Sequence, residues 1–301
     1  MPRPSSERDS TEPTTVTPEL LRGWPLPDPT GGKNARGSIL VIGGSAETLG
    51  AVVLAAEGAL RAGAGKLQVA TVASMAPYAG QSLPEARVVA LPETSGGALG
   101  PDAADAVREL AQNADAVLIG PGMADRDATQ GFAERLLPHL TGPLALDALG
   151  LASVTADEKC LHHLDGRVVL TPNPTEIAIS LHVDDDEIDD DPARAALDLA
   201  RRARGVVALG GVTSWIATPG GDLWQDDSGG AGLGVSGSGD VQAGVVGGLL
   251  ARGAEPAQAA VYATYLHGRA GERLASAIGR LGFLARELAP EIPAALAEVT
   301  S

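Results

Sequence analysis

Cysteine is almost missing from this sequence: Cys160 is the one thiol in 301 residues. A single thiol closes no disulfide framework and builds no cysteine-based zinc site, which fits a reducing cytoplasm. Aromatic residues are scarce as well, at 3%, so aliphatic and small side chains must fill the core. Basic residues are outnumbered, 22 Lys and Arg against 38 Asp and Glu, leaving a net charge of −16. A field of that sign argues against duplex nucleic acid and anionic membranes as partners, because both need positive charge. It leaves open a phosphorylated small molecule held by backbone N–H groups. No apolar stretch is long enough to span a bilayer, since Gly and Pro break the longest uncharged runs. The opening segment, MPRPSSERDSTEPTTVTPE, has no signal-peptide core and reads as a disordered tail over residues 1–20.

What the chain does have is glycine, 39 residues of it, and an apolar share of 44%. Short apolar runs that end at Gly, Pro or Asp predict strands over 38–42, 66–72, 87–91, 116–119, 143–146, 168–170, 206–209, 214–218 and 222–224. Between and after them, helical patterns are expected over 50–62, 101–111, 128–137, 192–202, 239–251, 256–277 and 281–288, with a last short one near Pro293. The acidic run 184–191 has no Gly where a calcium loop needs one and reads as a solvated loop. Strands alternating with helices imply parallel strands joined by right-handed crossovers and covered on both faces. No linker divides the chain after residue 20, so residues 21–301 are expected to form one α/β domain.

Open α/β sheets bind ligands beyond the carboxyl ends of their strands. Here those ends carry Gly43-Gly44-Ser45, Gly120-Pro121-Gly122, Asp147, Thr171 to Glu176, and Gly210-Gly211. Each could be turn chemistry alone. The strongest local signal is SGGAGLGVSGSGD over 228–240, which runs straight into the apolar segment VQAGVVGGLLA. The first N–H groups of a helix lack internal acceptors and carry the positive end of its dipole. Gly237, Ser238 and Gly239 could thus cradle an anion, and small residues let a phosphate come close. Asp240 sits in the first turn, either as an N-terminal capping acid or as a base beside a bound phosphate. Other phosphate motifs fail: Gly63-Ala64-Gly65-Lys66 is followed by Leu67 rather than Ser or Thr, and no G-x-G-x-x-G follows the first long strand. His267, within a long helix, reads as a packed or hydrogen-bonded residue.

Taken together, GSILVIGGSAETLGAVVLAAEGALRAGAGKLQVAT, DAVLIGPGM, LTPNPTE, VSGSGDVQAGVVGGLLARG and AAVYATYLHGRAG resemble, in order, the ADP-dependent (S)-NAD(P)H-hydrate dehydratases. The resemblance runs from about Lys33 to Gly271. It implies a ribokinase-like three-layer sandwich, with a mostly parallel central sheet and helices on both faces. It also implies a cytoplasmic repair lyase that uses ADP or ATP, with Mg2+, to return hydrated NADH or NADPH to the intact cofactor. The expected partners are NAD(P)H hydrate and an adenine nucleotide. A homo-oligomer is expected, as is a separate epimerase, since no epimerase segment is read before residue 33.

Carried over position by position, the resemblance makes Asp240, in Gly237-Ser238-Gly239-Asp240, the base that activates the hydrate's hydroxyl. Ala51, Gly122 and Asn173, with Asp240, would contact the substrate. Gly210, Gly211, Val212, Thr213 and Ser214 would form a nucleotide loop together with Gly237, Ser238 and Gly239. No metal ligands are assigned. Two departures stand out: Asn173 lies where the family has His, and Gly210 where it has Lys, which removes a cation from the phosphate side. Two other readings share the same loop, a small-molecule kinase of this fold and a nucleotide-binding protein without turnover.

Overall fold

The computed structural model describes residues 12–28 and 31–300. Ten strands form one sheet: β1 (Thr14–Thr15), β2 (Ser38–Ile42), β3 (Lys66–Val72), β4 (Ala86–Leu91), β5 (Ala116–Ile119), β6 (Leu144–Leu146), β7 (Val168–Leu170), β8 (Val206–Leu209), β9 (Ser214–Ala217) and β10 (Leu223–Asp226). Their order is β1-β10-β9-β8-β7-β6-β5-β2-β3-β4. Pairing is parallel from β4 through β8, β9 runs antiparallel to both its neighbours, and β1 pairs parallel with β10. The chain moves outward one way through β2, β3 and β4, then returns and moves the other way from β5 to β8. The reversal lies between β2 and β5, and the loops after those strands close on each other there, with Gly44 N–H donating to Pro121 O at 2.8 Å and Thr48 Oγ1 donating to Gly122 O at 2.6 Å.

The helices are α1 (Pro18–Gly23), α2 (Leu49–Arg61), α3 (Ala76–Ser82), α4 (Pro101–Gln112), α5 (Arg126–Leu136), α6 (Ala152–Ala156), α7 (Pro174–Leu181), α8 (Asp185–Asp190), α9 (Pro192–Ala203), α10 (Ser238–Ala251), α11 (Pro256–Ala277) and α12 (Ala285–Thr300). Side chains alternate across a strand, and β2 divides accordingly. Ile39 and Val41 enter the core shared with α2, α10, α11 and α12, whereas Leu40 and Ile42 enter the core shared with α4, α5, α7 and α9. The outcome is the three-layer arrangement expected from the sequence.

Helix α10 is buried along nearly its whole length, and small residues let it lie against α2. A Cβ added at Gly244 would stand 2.0 Å from the carbonyl oxygen of Ala55, and one at Gly248 would stand 2.4 Å from that of Ala59. This backbone-to-backbone contact fixes where the first turn of α10 emerges, which is beside the carboxyl ends of β6, β7 and β8.

Three local expectations are corrected. Of the tail expected over residues 1–20, residues 1–11 lie outside the described residues, but 14–20 are ordered. Thr14–Thr15 extends the sheet, Thr17 caps α1 by accepting from Leu20 N–H at 3.1 Å, and Leu21 is fully buried. Tyr262 Oη donates to Leu21 O at 2.6 Å, and Trp24 stacks on Trp224. The cap signal, Thr17 followed directly by Pro18 at the first helical position, is masked by polar composition. The acidic run contains α8, with Asp185, Asp186 and Glu187 in its first turn and Ile188 buried. Carboxylates at that end match the helix dipole. Finally, 285–300 is one helix despite Pro290 and Pro293, because Leu288, Ile292, Ala295 and Val299 bury a continuous face that outweighs the lost backbone bonds.

Candidate active site

The strand-end segments singled out in the sequence converge because β2, β5, β6, β7 and β8 are adjacent and parallel. Two cavities open at the carboxyl ends of β6, β7 and β8, and the segments 43–45 and 120–122 line neither. The smaller, about 220 Å³, lies over β6, β7 and β8 and is lined by Asp147, Thr171, Asn173, Glu176, Gly210, Gly239, Asp240 and Gln242 among others. The larger, about 600 Å³, takes in Gly210, Gly211, Val212, Ser214, Ser238, Gly239 and His267. They meet at Asn173, Gly210, Gly239 and Gln242, which line both.

The first turn of α10 forms the wall between them. Its N-cap is Gly237, at φ 89°, which has no side chain to occupy the helix end. Ser238 N–H bonds Val235 O at 3.1 Å. Helix geometry gives the N–H groups of Gly239 and Asp240 no acceptor inside the helix, so they remain available to an anion. A Cβ at Gly239 would meet nothing within 4 Å, so the space in front of this turn is open. The carboxylate of Asp240 faces the smaller cavity.

Asn173 is the N-cap of α7. Its Oδ1 accepts from Glu176 N–H at 2.8 Å, while Glu176 Oε2 accepts from Asn173 N–H at 2.9 Å, a reciprocal capping box. The cap uses the amide oxygen and leaves the amide NH2 as the donor for the cavity. Asp147 follows β6 and is buried, with Thr171 Oγ1 donating to its Oδ1 at 2.7 Å.

The smaller cavity is strongly acidic. Asp147, Glu176 and Asp240 line it, and no Lys, Arg or His does. Burial pushes Asp240 up to about 6, with the charge of Glu176 adding to the rise. Burial raises Asp147 well above the usual carboxylate range, against the hydrogen bond from Thr171, and the charges of Asp240 and Glu176 push the same way. Glu176 is raised by burial, against the bond from Asn173 N–H. Each carboxylate is thus short of compensating positive charge. Among the described residues, no group of three or more His, Cys, Asp or Glu stands close enough to hold a metal unaided.

Not every predicted site residue reaches these cavities. Asp240, Asn173, Gly210 and Gly239 line the smaller one, and Gly211, Val212, Ser214 and Ser238 line the larger. Gly237 caps α10 from behind, under Leu54. Thr213 turns away and donates to Asp227 Oδ1 at 2.6 Å. Ala51 and Gly122 meet each other near the ends of β2 and β5, where a Cβ on Gly122 would lie 2.9 Å from Ala51 Cβ, and they line neither cavity. Asp147 and Glu176 stand at strand ends in the sequence but are not among the residues expected at the site, and neither is Gln242. The signal for Glu176 was the Asn-Pro-x-Glu capping pattern; nothing local marks Gln242.

Comparison with known proteins bears on this arrangement. A family model described as NAD(P)H-hydrate dehydratase matches residues 39–294. The chain is 43% identical over 284 residues to an ADP-dependent (S)-NAD(P)H-hydrate dehydratase of Xanthomonas campestris pv. campestris, covering 94% of this chain and 96% of that one. It is 35% identical to a bifunctional NAD(P)H-hydrate repair enzyme of Moorella thermoacetica, covering 89% of this chain but only 51% of that longer protein. An ADP/ATP-dependent NAD(P)H-hydrate dehydratase of Bacillus subtilis, co-crystallised with ATP and Mg2+, superposes with a TM-score of 0.81 at 27% identity, over 96% of this chain and 99% of that one. A ribokinase-like superfamily protein of Enterococcus faecalis has the same fold, at a TM-score of 0.81 and 21% identity over 99% of this chain and 100% of that one.

Proposed function

The chain belongs to the NAD(P)H-hydrate dehydratase family, and from that membership we propose that it returns (6S)-NAD(P)H hydrate to NAD(P)H at the expense of ADP or ATP, with Asp240 as the base. The observation that carries this assignment is the position of Asp240. Its carboxylate faces an acidic cavity beside an open helix N-terminus, and a second cavity large enough for a nucleotide begins across Gly239.

Hydroxide is a poor leaving group near neutral pH, and phosphate is a good one. Asp240 takes the proton of the substrate hydroxyl as that oxygen attacks the terminal phosphoryl group of the nucleotide. ADP thereby becomes AMP, or ATP becomes ADP, and the hydrate becomes a phosphate ester. The ring nitrogen then pushes its electron pair toward the carbon, the C–O bond breaks, and phosphate departs. Loss of the neighbouring ring proton restores NAD(P)H. The N–H groups of Gly239 and Asp240 stabilise the negative oxygens of the phosphoryl group in transit. Asn173 supplies a neutral donor where a cationic or proton-carrying side chain would otherwise stand. Gly210 leaves open space on the phosphate side, since a Cβ there would meet nothing within 4 Å.

The residues present fit Mg2+. Three carboxylates without a basic neighbour would repel a nucleotide's phosphates unless a cation came with them. Mg2+ keeps most of its waters and binds through one or two carboxylates plus substrate phosphates, so it needs no complete protein cage. Asp147 and Glu176 would hold it, and it would neutralise charge on the phosphates when bound.

The reading extends to the rest of the assembly. Residues 21–301 act as one catalytic domain, the protein works in the cytoplasm as a homo-oligomer, and a separate epimerase supplies the 6S substrate. Among the described residues, no helix is long and apolar enough to cross a membrane.

The test supplies hydrated NADH, ADP and Mg2+ and follows the return of NADH absorbance, with one AMP and one phosphate formed per NADH. Phosphorylation of an alcohol without that return would identify a kinase instead. The same assay fixes the base. Asp240 must be ionised to accept a proton, and its pKa is raised to about 6. The expected kcat/KM is therefore flat near neutrality and falls tenfold per pH unit below about 6. A profile that stayed flat down to pH 4.5 would exclude Asp240 as the base.

A further inference from the structure

His267 lies on α11, far in sequence from the glycine loop, and is buried. Its Nε2 is 2.8 Å from Oγ of Ser238, itself buried in the first turn of α10. Both residues line the larger cavity together with Gly239. A second polar contact joins the same two helices one turn on, where Gln242 Nε2 donates to Thr264 Oγ1 at 3.2 Å and Thr264 Oγ1 donates to Ala260 O at 2.9 Å. Both of these contacts between α10 and α11 border the larger cavity, which Ser238, Gln242, Thr264 and His267 all line.

The direction of the Ser238 hydroxyl decides what the cavity offers. A hydroxyl that donates to the imidazole presents only lone pairs to the cavity, and these repel phosphate oxygens. A hydroxyl that accepts from the imidazole keeps its own hydrogen for the cavity, where an acceptor-rich phosphate can use it. We propose that His267 is a positioning residue for the nucleotide: its Nε2–H donates to Ser238 Oγ and turns the Ser238 hydroxyl hydrogen toward a phosphate oxygen in the larger cavity. The proposal rests on the assignment of that cavity to the adenine nucleotide. Burial, which drives His267 down to about 4, keeps the ring neutral across the working pH range, so the relay adds a donor without adding charge. A chain of two aligned hydrogen bonds also strengthens the one that reaches the ligand.

The experiment measures ADP affinity by calorimetry in the presence of Mg2+, together with KM for ADP and kcat, in the full-length protein and in five variants. Ser238→Ala and His267→Leu are each expected to weaken ADP about tenfold, with the loss in KM rather than in kcat. The double variant is expected to weaken it about tenfold as well, because the second change removes a bond already broken. His267→Gln, whose amide nitrogen reaches about as far as Nε2, is expected to restore KM to within about threefold of the unchanged protein. His267→Asn, too short to reach Ser238, is not. Effects that multiply to about a hundredfold in the double variant, or a His267→Asn protein that binds ADP normally, would overturn the relay. If His267→Leu does not fold, the Gln–Asn contrast decides. If the unchanged protein binds ADP but does not release NADH, the dehydratase reading fails while the affinity ratios still test the relay. If it binds no ADP, the relay is overturned too.

Discussion

Replacing Asp240 by Asn lowers kcat by about a thousandfold and leaves ADP affinity within a few-fold of its starting value. Asn keeps the size of the side chain and its place in the first turn of α10, but it cannot accept a proton, and a positioned base is worth roughly 10²–10⁴ in rate. Nucleotide binding is spared because the larger cavity is built from Gly210, Gly211, Val212, Ser238, Gly239 and their neighbours, and Asp240 does not line it. Removing one of three carboxylates from the smaller cavity also relieves repulsion of the phosphates, so affinity that changes at all should rise. A first-turn acid that served only the helix dipole would behave differently: its replacement by Asn would change thermal stability by no more than about 0.3–1 kcal/mol and leave turnover largely intact. Thermal melting and single-turnover kinetics on the same preparation separate the two. Turnover within tenfold of the original would remove Asp240 from the chemistry.

The second large effect is on stability. Gly244→Val is expected to cost about 3 kcal/mol or more and to take activity with it. The new Cβ would begin 2.0 Å from Ala55 O and 2.7 Å from Ala55 C, both backbone atoms, so no side chain can swing aside. Helix α10 cannot retreat either, because a Cβ at Gly247 would already lie 3.1 Å from Ile39 on the sheet. The strain would therefore separate α10 from α2 and shift the first turn that carries Ser238, Gly239 and Asp240. Gly80→Ala is the control. It sits in α3, nothing stands within 4 Å of its Cβ position, and its φ is not positive, so stability should hold or rise slightly. Urea denaturation of both variants provides the measurement. An unchanged midpoint for Gly244→Val would contradict the close contact between the two helices.

These two positions also show which features a sequence reveals. The strands were legible because β2, β5 and β8 are short apolar runs stopped by glycine, and such punctuation is local. The first turn of α10 was legible for the same reason: a Gly/Ser loop meets an apolar helix, and the physics of a helix end needs no tertiary partner. What stayed hidden depends on juxtaposition. Asp147 and Glu176 are ordinary strand-end and helix-start acids until β6 and β7 pair in register and bring them onto one cavity with Asp240. His267 reads as a packed histidine until α11 crosses α10 and presents it to Ser238. The antiparallel β9 broke the alternation of strand and helix that otherwise announced parallel pairing, and Thr17 capped a helix in a segment whose composition suggested none. Ala51 and Gly122 entered through family resemblance alone, and the structure places them against each other where the loops after β2 and β5 meet, apart from both cavities.

The most direct measurement follows the oxygen atom that must leave. NADH hydrate carrying oxygen-18 in its ring hydroxyl is turned over with unlabelled ADP and Mg2+ in ordinary water, and the products are analysed by mass spectrometry. If the hydroxyl oxygen attacks the phosphoryl group with Asp240 taking its proton, the label leaves in inorganic phosphate, one atom per NADH formed. Label recovered in water, with unlabelled phosphate, would mean that the hydroxyl departs directly and that the nucleotide serves some other purpose.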